Sequence, residues 1–126
     1  MDRPTAGYLA ETKFEYVATI MGIVLSKPLH NLAPYDYIAD KANKLYKCQV
    51  KKAYIDSFNQ HICELRRQST KKAGKKLYKE GDFDFLCVVD GENIYLIPWI
   101  KIAQKRSNIM LGKKYAQYVG NWDFNP

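Results

Sequence analysis

Four residues within the first 51 positions could share one chemical site. Glu11 lies in a segment of helical periodicity, Asp36 follows Pro34-Tyr35, and Gln49 and Lys51 stand two positions apart. Carboxylate and amide oxygens are the hard ligands that Mg²⁺ prefers, and an ammonium group beside them can orient water or offset charge on phosphorus. The set is therefore suited to metal-dependent hydrolysis of a phosphodiester.

Alternation along residues 45–51 predicts a strand with one apolar and one polar face. Gln49 and Lys51 share the polar face, so they present their side chains to one small volume. Lys52 falls on the opposite face and is not expected at the site. Asp36 is expected to open the strand that pairs with this one.

Two other acids remain open as alternatives. Glu15 lies four residues after Glu11 on the same predicted helix face and could take its role. Asp40 is a weaker candidate ligand because it falls in a predicted turn. Neither histidine has a partner at a zinc-like spacing, and the sequence has no glycine-rich phosphate loop.

Periodicity and turn residues predict the elements that must hold these side chains. Apolar residues at helical spacing predict a helix over residues 5–21, capped by Thr5 and ended by Gly22. Apolar and alternating runs predict strands at residues 23–26, 35–39, 45–51, 58–66, 83–89 and 93–97, although 58–66 could also form a short helix.

Turn and loop residues separate these elements. Residues 40–44 predict a hairpin turn, and the lysine-rich residues 68–79 predict an exposed loop or hairpin tip. Pro98 predicts the start of a short helix that ends at Gln104. We expect one α/β domain over residues 1–126, with a mixed central sheet flanked by helices.

The net charge of +7 is unevenly distributed along the chain. Residues 41–79 contain twelve Lys or Arg against only Asp56 and Glu64, a local net charge of +10, so the remainder carries −3. Concentrated positive charge predicts a surface for a polyanion such as double-stranded DNA. We expect the DNA contacts to lie in a basic insertion at about residues 58–79. The expected contact residues are Arg66, Arg67, Lys71, Lys72, Lys75 and Lys76.

Composition also favours a reducing compartment. The three cysteines are odd in number and widely spaced, which predicts reduced thiols that pack in the core. The longest uncharged run has 11 residues, too few to span a bilayer, and the N-terminus has no apolar secretory stretch. We therefore expect a cytoplasmic protein without a membrane partner.

Several segments together resemble the PD-(D/E)XK nuclease superfamily, and within it most closely the group I intron-encoded homing endonucleases of cyanobacterial type. The matching segments are residues 6–11, 22–29, 34–38 and 48–51, with later matches at residues 80–85 and 95–98. The resemblance extends over most of the chain.

This resemblance implies an α-β-β-β-α-β restriction-endonuclease-like core and Mg²⁺-dependent double-strand cleavage by a homo-oligomer, either a dimer or a tetramer. By motif, Glu11 is the helix acid, Asp36 the first motif acid and Lys51 the motif lysine. Gln49 departs from the usual Asp or Glu, although glutamine is known there in this subgroup. The lost negative charge weakens metal affinity and leaves the number of metals open.

Two rival functions remain at this point. One is a nuclease of the same superfamily that resolves Holliday junctions, reading four-way geometry rather than sequence. The other is a non-catalytic DNA-binding module whose acidic residues are structural.

Overall fold

The computed structural model describes residues 1–68, 75–105 and 107–126, without the side chains of residues 67, 68 and 75. These ranges contain one α-helix and ten short strands. Helix α1 spans Arg3–Ile20. The strands are β1 (Val24–Ser26), β2 (Tyr37–Lys41), β3 (Lys44–Lys52), β4 (Tyr54–Ile55), β5 (His61–Glu64), β6 (Arg66–Gln68), β7 (Lys75–Leu77), β8 (Phe85–Asp90), β9 (Asn93–Pro98) and β10 (Asn108–Met110).

A five-stranded mixed sheet in the order β1-β2-β3-β8-β9 forms the centre of the molecule. Strands β3 and β8 run parallel, and the other neighbours are antiparallel. The predicted mixed α/β class and its restriction-endonuclease-like fold are confirmed. The implied α-β-β-β-α-β order is not reproduced in full, because the described residues between β3 and β8 form the strands β4 to β7 and no second α-helix. Smaller sheets of β10-β5-β4 and β6-β7 lie outside this central sheet.

Helix α1 packs on one face of the central sheet through small residues and one ring. Its buried side chains recur every four residues and are Ala6, Ala10, Phe14 and Ala18. The helix starts earlier than predicted, because Asp2 and not Thr5 is the N-cap: the Asp2 carboxylate accepts a hydrogen bond from the Thr5 N–H at 2.8 Å. Gly22 follows the helix with φ 81°, as its predicted role as a helix terminator requires.

Strand β8 divides the core into two layers because successive side chains point to opposite faces of the sheet. Phe85, Cys87 and Val89 pack with α1, whereas Leu86 and Val88 join a second cluster beneath β5, β10 and the C-terminal turns. All three cysteines are free and buried, as predicted from their spacing.

The hairpin that follows α1 is shifted by two residues from its predicted position. Strand β2 runs over Tyr37–Lys41 rather than residues 35–39, and the turn consists of Ala42 and Asn43 with φ of 50° and 66°. Two successive positive φ angles suit the twist of a two-residue hairpin. The expectation that Asp36 opens the strand is thus wrong: it lies one residue before β2.

The second face of the sheet is covered by short turns and small strands. The helix predicted over residues 98–104 is a single 3-10 turn, Trp99–Lys101, and a second one spans Lys113–Tyr118. The predicted strand at residues 58–66 is confined to β5 and the start of β6. No helix in the described ranges has both the length and the hydropathy needed to cross a bilayer.

The aromatic tail folds back onto the core of its own chain. The Phe124 ring stacks on Tyr46 at 4.5 Å between ring centres and meets the edge of Phe85 at 5.1 Å. Trp122 contacts Phe14 at 5.7 Å. Phe124 has φ 55°, a conformation that bulky residues rarely adopt, so its burial holds the backbone there.

We expect Phe124→Ala to lower the free energy of unfolding by about 3–5 kcal/mol, because it empties a buried ring site. Phe58→Ala removes the same atoms from a residue that is 81% exposed and should change stability by less than about 0.5 kcal/mol. Urea unfolding followed by circular dichroism measures both. Equal losses in the two variants would contradict the packing role of the tail.

Candidate active site

Asp36 is held against β3 by its backbone and by its side chain. Its N–H donates to the Cys48 carbonyl at 2.9 Å, and its carboxylate Oδ2 accepts from the Val50 N–H at 2.8 Å. The ladder between β2 and β3 ends at the pair Tyr37 and Cys48, so the carboxylate takes the place of a strand carbonyl. Beyond this point β3 continues alone along β8 as far as Lys52. A gap therefore opens beside the second half of β3.

Glu11 faces this gap from helix α1. It lines one cavity together with Asp36 and a second cavity together with Lys51. Burial raises the pKa of the Glu11 carboxyl, the negative charge of Asp36 raises it further, and Lys27 opposes both effects. Within the described residues Glu11 has no hydrogen-bond or ion-pair partner. Two acids are thus held close enough to repel each other.

The environment of Asp36 is more balanced. Burial raises the pKa of its carboxyl, whereas the hydrogen bond from Val50 and the ammonium groups of Lys51 and Lys27 lower it. The rise prevails, so the carboxylate form is disfavoured relative to an exposed aspartate. A cation at this position would favour the charged form of both acids.

Lys51 approaches the gap from the opposite face of β3. Its Nζ donates to the Arg66 carbonyl at 2.9 Å and lies 5.5 Å from the centre of the Tyr78 ring. These contacts fix the direction of a long side chain whose charge still acts on Asp36. Alternation predicts this placement: Cys48 and Val50 are buried with α1, whereas Lys51 lies on the other face.

Gln49 is less closely tied to the pair of acids than its neighbours are. Its side chain is half-buried, and Nε2 donates to the Val50 carbonyl at 3.4 Å. Gln49 does not line the cavities that Glu11 lines in the described part of the chain. Gln49 nevertheless directly precedes Val50, whose N–H donates to Asp36. It is therefore adjacent in sequence to a residue that borders the gap.

The two alternative acids are engaged elsewhere. Glu15 accepts a short hydrogen bond from the Tyr37 hydroxyl and forms an ion pair with Lys27 at 3.3 Å. Asp40 lies exposed in β2, not in the predicted turn, and pairs in register with Leu45. Neither acid lines the gap beside β3 among the described residues.

Lys27 is a member of the site to which no sequence pattern points. It follows β1 directly, in the predicted loop, and its charge acts on both Glu11 and Asp36. A loop lysine carries no periodicity that indicates where its side chain lies. The adjacent Pro28, which limits the backbone of Lys27 to extended conformations, is the only local signal.

The donor set at the gap is small. No group of three or more His, Cys, Asp or Glu side chains able to hold a metal occurs in the ranges that the structure describes. The described part of the site therefore offers two carboxylates, from Glu11 and Asp36, and the side-chain amide of Gln49 is the predicted neutral ligand on the adjoining strand. Two acids and a neutral amide can complement a magnesium ion that keeps several of its waters.

Four of the six predicted DNA-contacting residues, Arg66, Arg67, Lys75 and Lys76, lie in β6 and β7, which pair antiparallel. Arg66 is partly exposed and lies 3.6 Å from a Glu64 carboxylate oxygen, and Lys76 is exposed. The side chains of Arg67 and Lys75 lie outside the described residues, as do Lys71 and Lys72 entirely. The contact between Lys51 and the Arg66 carbonyl joins the start of β6 to the candidate site.

The chain is similar to known proteins in sequence and in fold. Residues 1–120 match the family described as PD-(D/E)XK endonuclease. Protein 5.3 of Escherichia phage T7 is 28% identical over 113 residues, which cover 90% of this chain and 93% of that protein. The solved structure of I-Ssp6803I, a bacterial homing endonuclease, superposes with a TM-score of 0.84 at 24% identity, covering 98% of this chain and 92% of that one.

Removing the negative charge of Glu11 should stabilise the protein when no metal is bound. An acid whose pKa is raised on folding binds more protons when folded, so its contribution to stability is lost as the pH rises through the folded pKa. We expect Glu11→Gln to raise the free energy of unfolding at about pH 7. The difference from the wild type should vanish near about pH 3, where the Glu11 side chain is protonated and therefore neutral like glutamine. Urea titrations in EDTA measure this.

Glu15→Gln is the matched control from the same helix. It weakens the contacts with Tyr37 and Lys27, so it should not raise stability. The general effect of net charge on stability has the same sign in both variants. Each removes one carboxylate from a chain of net charge +7, which increases self-repulsion. If both variants were stabilised equally, repulsion between Glu11 and Asp36 would not be the cause.

Proposed function

This chain belongs to the PD-(D/E)XK endonuclease family, and on that premise we propose that it is a site-specific DNA endonuclease of the homing type that hydrolyses both strands with Mg²⁺. The observation that carries the proposal is the gap beside β3, where Glu11 and Asp36 repel each other within electrostatic reach of Lys51. An arrangement that disfavours both carboxylates has no structural benefit of its own. It is explained by a cation that binds between them.

Glu11 and Asp36 would hold the magnesium ion, with the Gln49 amide as a neutral third donor. When bound, the ion supplies charge neutralisation at phosphorus and lowers the pKa of a coordinated water. The Val50 N–H keeps Asp36 Oδ2 in place, which leaves Oδ1 without a hydrogen bond from the described residues. A carboxylate held by one oxygen presents the other in a defined direction.

Lys51 would act on the reacting phosphate or its attacking water. An ammonium beside the scissile group can orient the water, take its proton, or offset the charge that develops in the transition state. The Arg66 carbonyl and the Tyr78 ring restrain its side chain, so little reorganisation is needed when substrate binds. Lys27 would offset part of the negative charge before the metal arrives.

Duplex DNA is the proposed partner, bound by the basic insertion at about residues 58–79. The local net charge of +10 between residues 41 and 79 supports this partner, and I-Ssp6803I, whose fold is similar, is a homing endonuclease. We propose a homo-oligomer, dimer or tetramer, because one site of this size cuts one strand. Three free, buried thiols fit a reducing cytoplasm.

We expect the protein to nick and then linearise plasmid DNA in Mg²⁺ but not in EDTA. Asp36→Asn and Lys51→Ala should each lower the cleavage rate by about 10²-fold or more, while binding to duplex DNA in Ca²⁺ survives. Gel analysis of plasmid forms gives the rate, and fluorescence anisotropy gives the affinity. Cleavage by either variant at the wild-type rate would refute the assignment.

The matched controls lie in β2 and β3. Asp40→Asn removes an exposed carboxylate of β2, and Lys47→Ala removes an ammonium on the same face of β3 whose Nζ donates to the Gly81 carbonyl. Both should cut at nearly the wild-type rate.

Preferential cutting of a synthetic four-way junction over a linear duplex library would instead identify a junction-resolving nuclease.

DNA affinity should depend steeply on salt. If the insertion neutralises about five phosphates, log K should fall with log salt at a slope of roughly −4 to −5. Replacing Lys71 and Lys72 together by alanine should reduce the slope by about two. Anisotropy titrations in Ca²⁺ at several salt concentrations measure the slope, and an unchanged slope would exclude these lysines from the contact surface.

A further inference from the structure

A second cavity adjoins the candidate site on the side of the first turns of α1. It measures about 370 Å³ and is shared by α1, the end of β3, β4 and the start of β6. Arg3, Gly7 and Glu11 line it at intervals of four residues, so they form one stripe along the helix. Glu11 therefore connects the proposed metal site to a cavity that extends about 12 Å along α1, at 1.5 Å per residue, as far as Arg3.

Two cations in this cavity converge on one aromatic ring. The Arg3 guanidinium lies 4.3 Å from the centre of the Tyr54 ring, and the Lys52 ammonium lies 6.0 Å from it. The ring faces restrain the long side chains and direct them to the same space. Among the described residues, neither cation forms an ion pair with a carboxylate.

The other charged residues of the cavity do not neutralise this pair. Glu64 forms an ion pair with Arg66 at 3.6 Å, and Glu11 belongs to the proposed metal site. Counting Lys51, the cavity is lined by four basic and two acidic side chains. The pocket thus carries excess positive charge directly beside the place where a scissile phosphate would bind.

Gly7 is a further indication that the cavity accommodates a ligand. It lies in the interior of α1, where glycine is the least favourable residue apart from proline. Packing does not require it, because a Cβ built on Gly7 would meet no atom within 4 Å. Its φ is not in the left-handed region, so its backbone does not require glycine either. The missing side chain keeps open space above the helix.

We propose that this cavity binds a backbone phosphate next to the scissile one on the DNA strand being cut, with Arg3 and Lys52 as its ligands. The proposal rests on the endonuclease function above. Arg and Lys are donors only, and an arginine fork matches the oxygens of a phosphate, whereas base edges present donors and acceptors together. Tyr54 is a positioning residue that holds Arg3 over the cavity.

The first test measures the salt dependence of binding. Arg3→Gln and Lys52→Gln should each reduce the slope of log K against log salt by about one, because each removes one phosphate contact. The control Lys13→Gln removes a cation from another face of α1, where Lys13 pairs with Glu92 at 3.3 Å, and should leave the slope unchanged. The probe is a fluorescent synthetic duplex in Ca²⁺.

The second test fills the cavity without touching the cations. Gly7→Met and Gly7→Ala both improve helix propensity, so neither should destabilise the fold. The methionine side chain should occupy the phosphate position and weaken duplex binding at least tenfold, whereas Gly7→Ala should bind and cut nearly as the wild type does. If Arg3 and Tyr54 serve only to attach α1 to β4, Gly7→Met should bind normally.

The outcomes separate this site from the proposed function. Unchanged slopes in Arg3→Gln and Lys52→Gln, in a protein that cuts DNA with Mg²⁺, would overturn the phosphate site alone. Reduced slopes in a protein that never cuts would support the phosphate site and overturn the endonuclease. A wild-type protein that neither binds nor cuts duplex DNA would overturn both.

Discussion

Repulsion between two half-buried carboxylates is the constraint on which the site depends. Glu11 and Asp36 come from a helix and from the segment before a strand. Burial disfavours the charged form of both acids, and the charge of Asp36 disfavours that of Glu11 further. Helix α1 cannot move away, because Ala10 and Phe14, on either side of Glu11, are buried against the sheet. The packing of the core thus maintains an unfavourable electrostatic arrangement that a cation would make favourable.

The same place in the sheet joins architecture to chemistry. The pairing of β2 with β3 ends at Tyr37 and Cys48. Beyond this pair the Val50 N–H donates to the Asp36 carboxylate in place of a strand carbonyl. An unsatisfied buried N–H is costly, so the side chain is fixed by backbone hydrogen bonding and not by surface contacts. The other edge of β3 stays paired with β8 as far as Lys52.

Positive charge surrounds this small acidic site on several sides. Lys27 approaches from the loop after β1, Lys51 from the far face of β3, and Arg3 from the start of α1. Gln49 is neutral, so the proposed metal would meet less negative charge here than in a site with three acids. The surrounding positive charge would attract a polyanion such as the proposed DNA substrate.

Local patterns in the sequence determined the central helix, the order of the main strands and the face of β3 that carries Gln49 and Lys51, because periodicity records which side of an element is buried. They also predicted, through the family resemblance, that Glu11, Asp36 and Lys51 share one site. The two-residue shift of β2, the Asp2 cap and the positions of Lys27 and Arg3 were decided only by the tertiary structure. These depend on which backbone groups and rings meet across the fold, and neither a loop lysine nor a helix-terminal arginine has a period that reveals its partner.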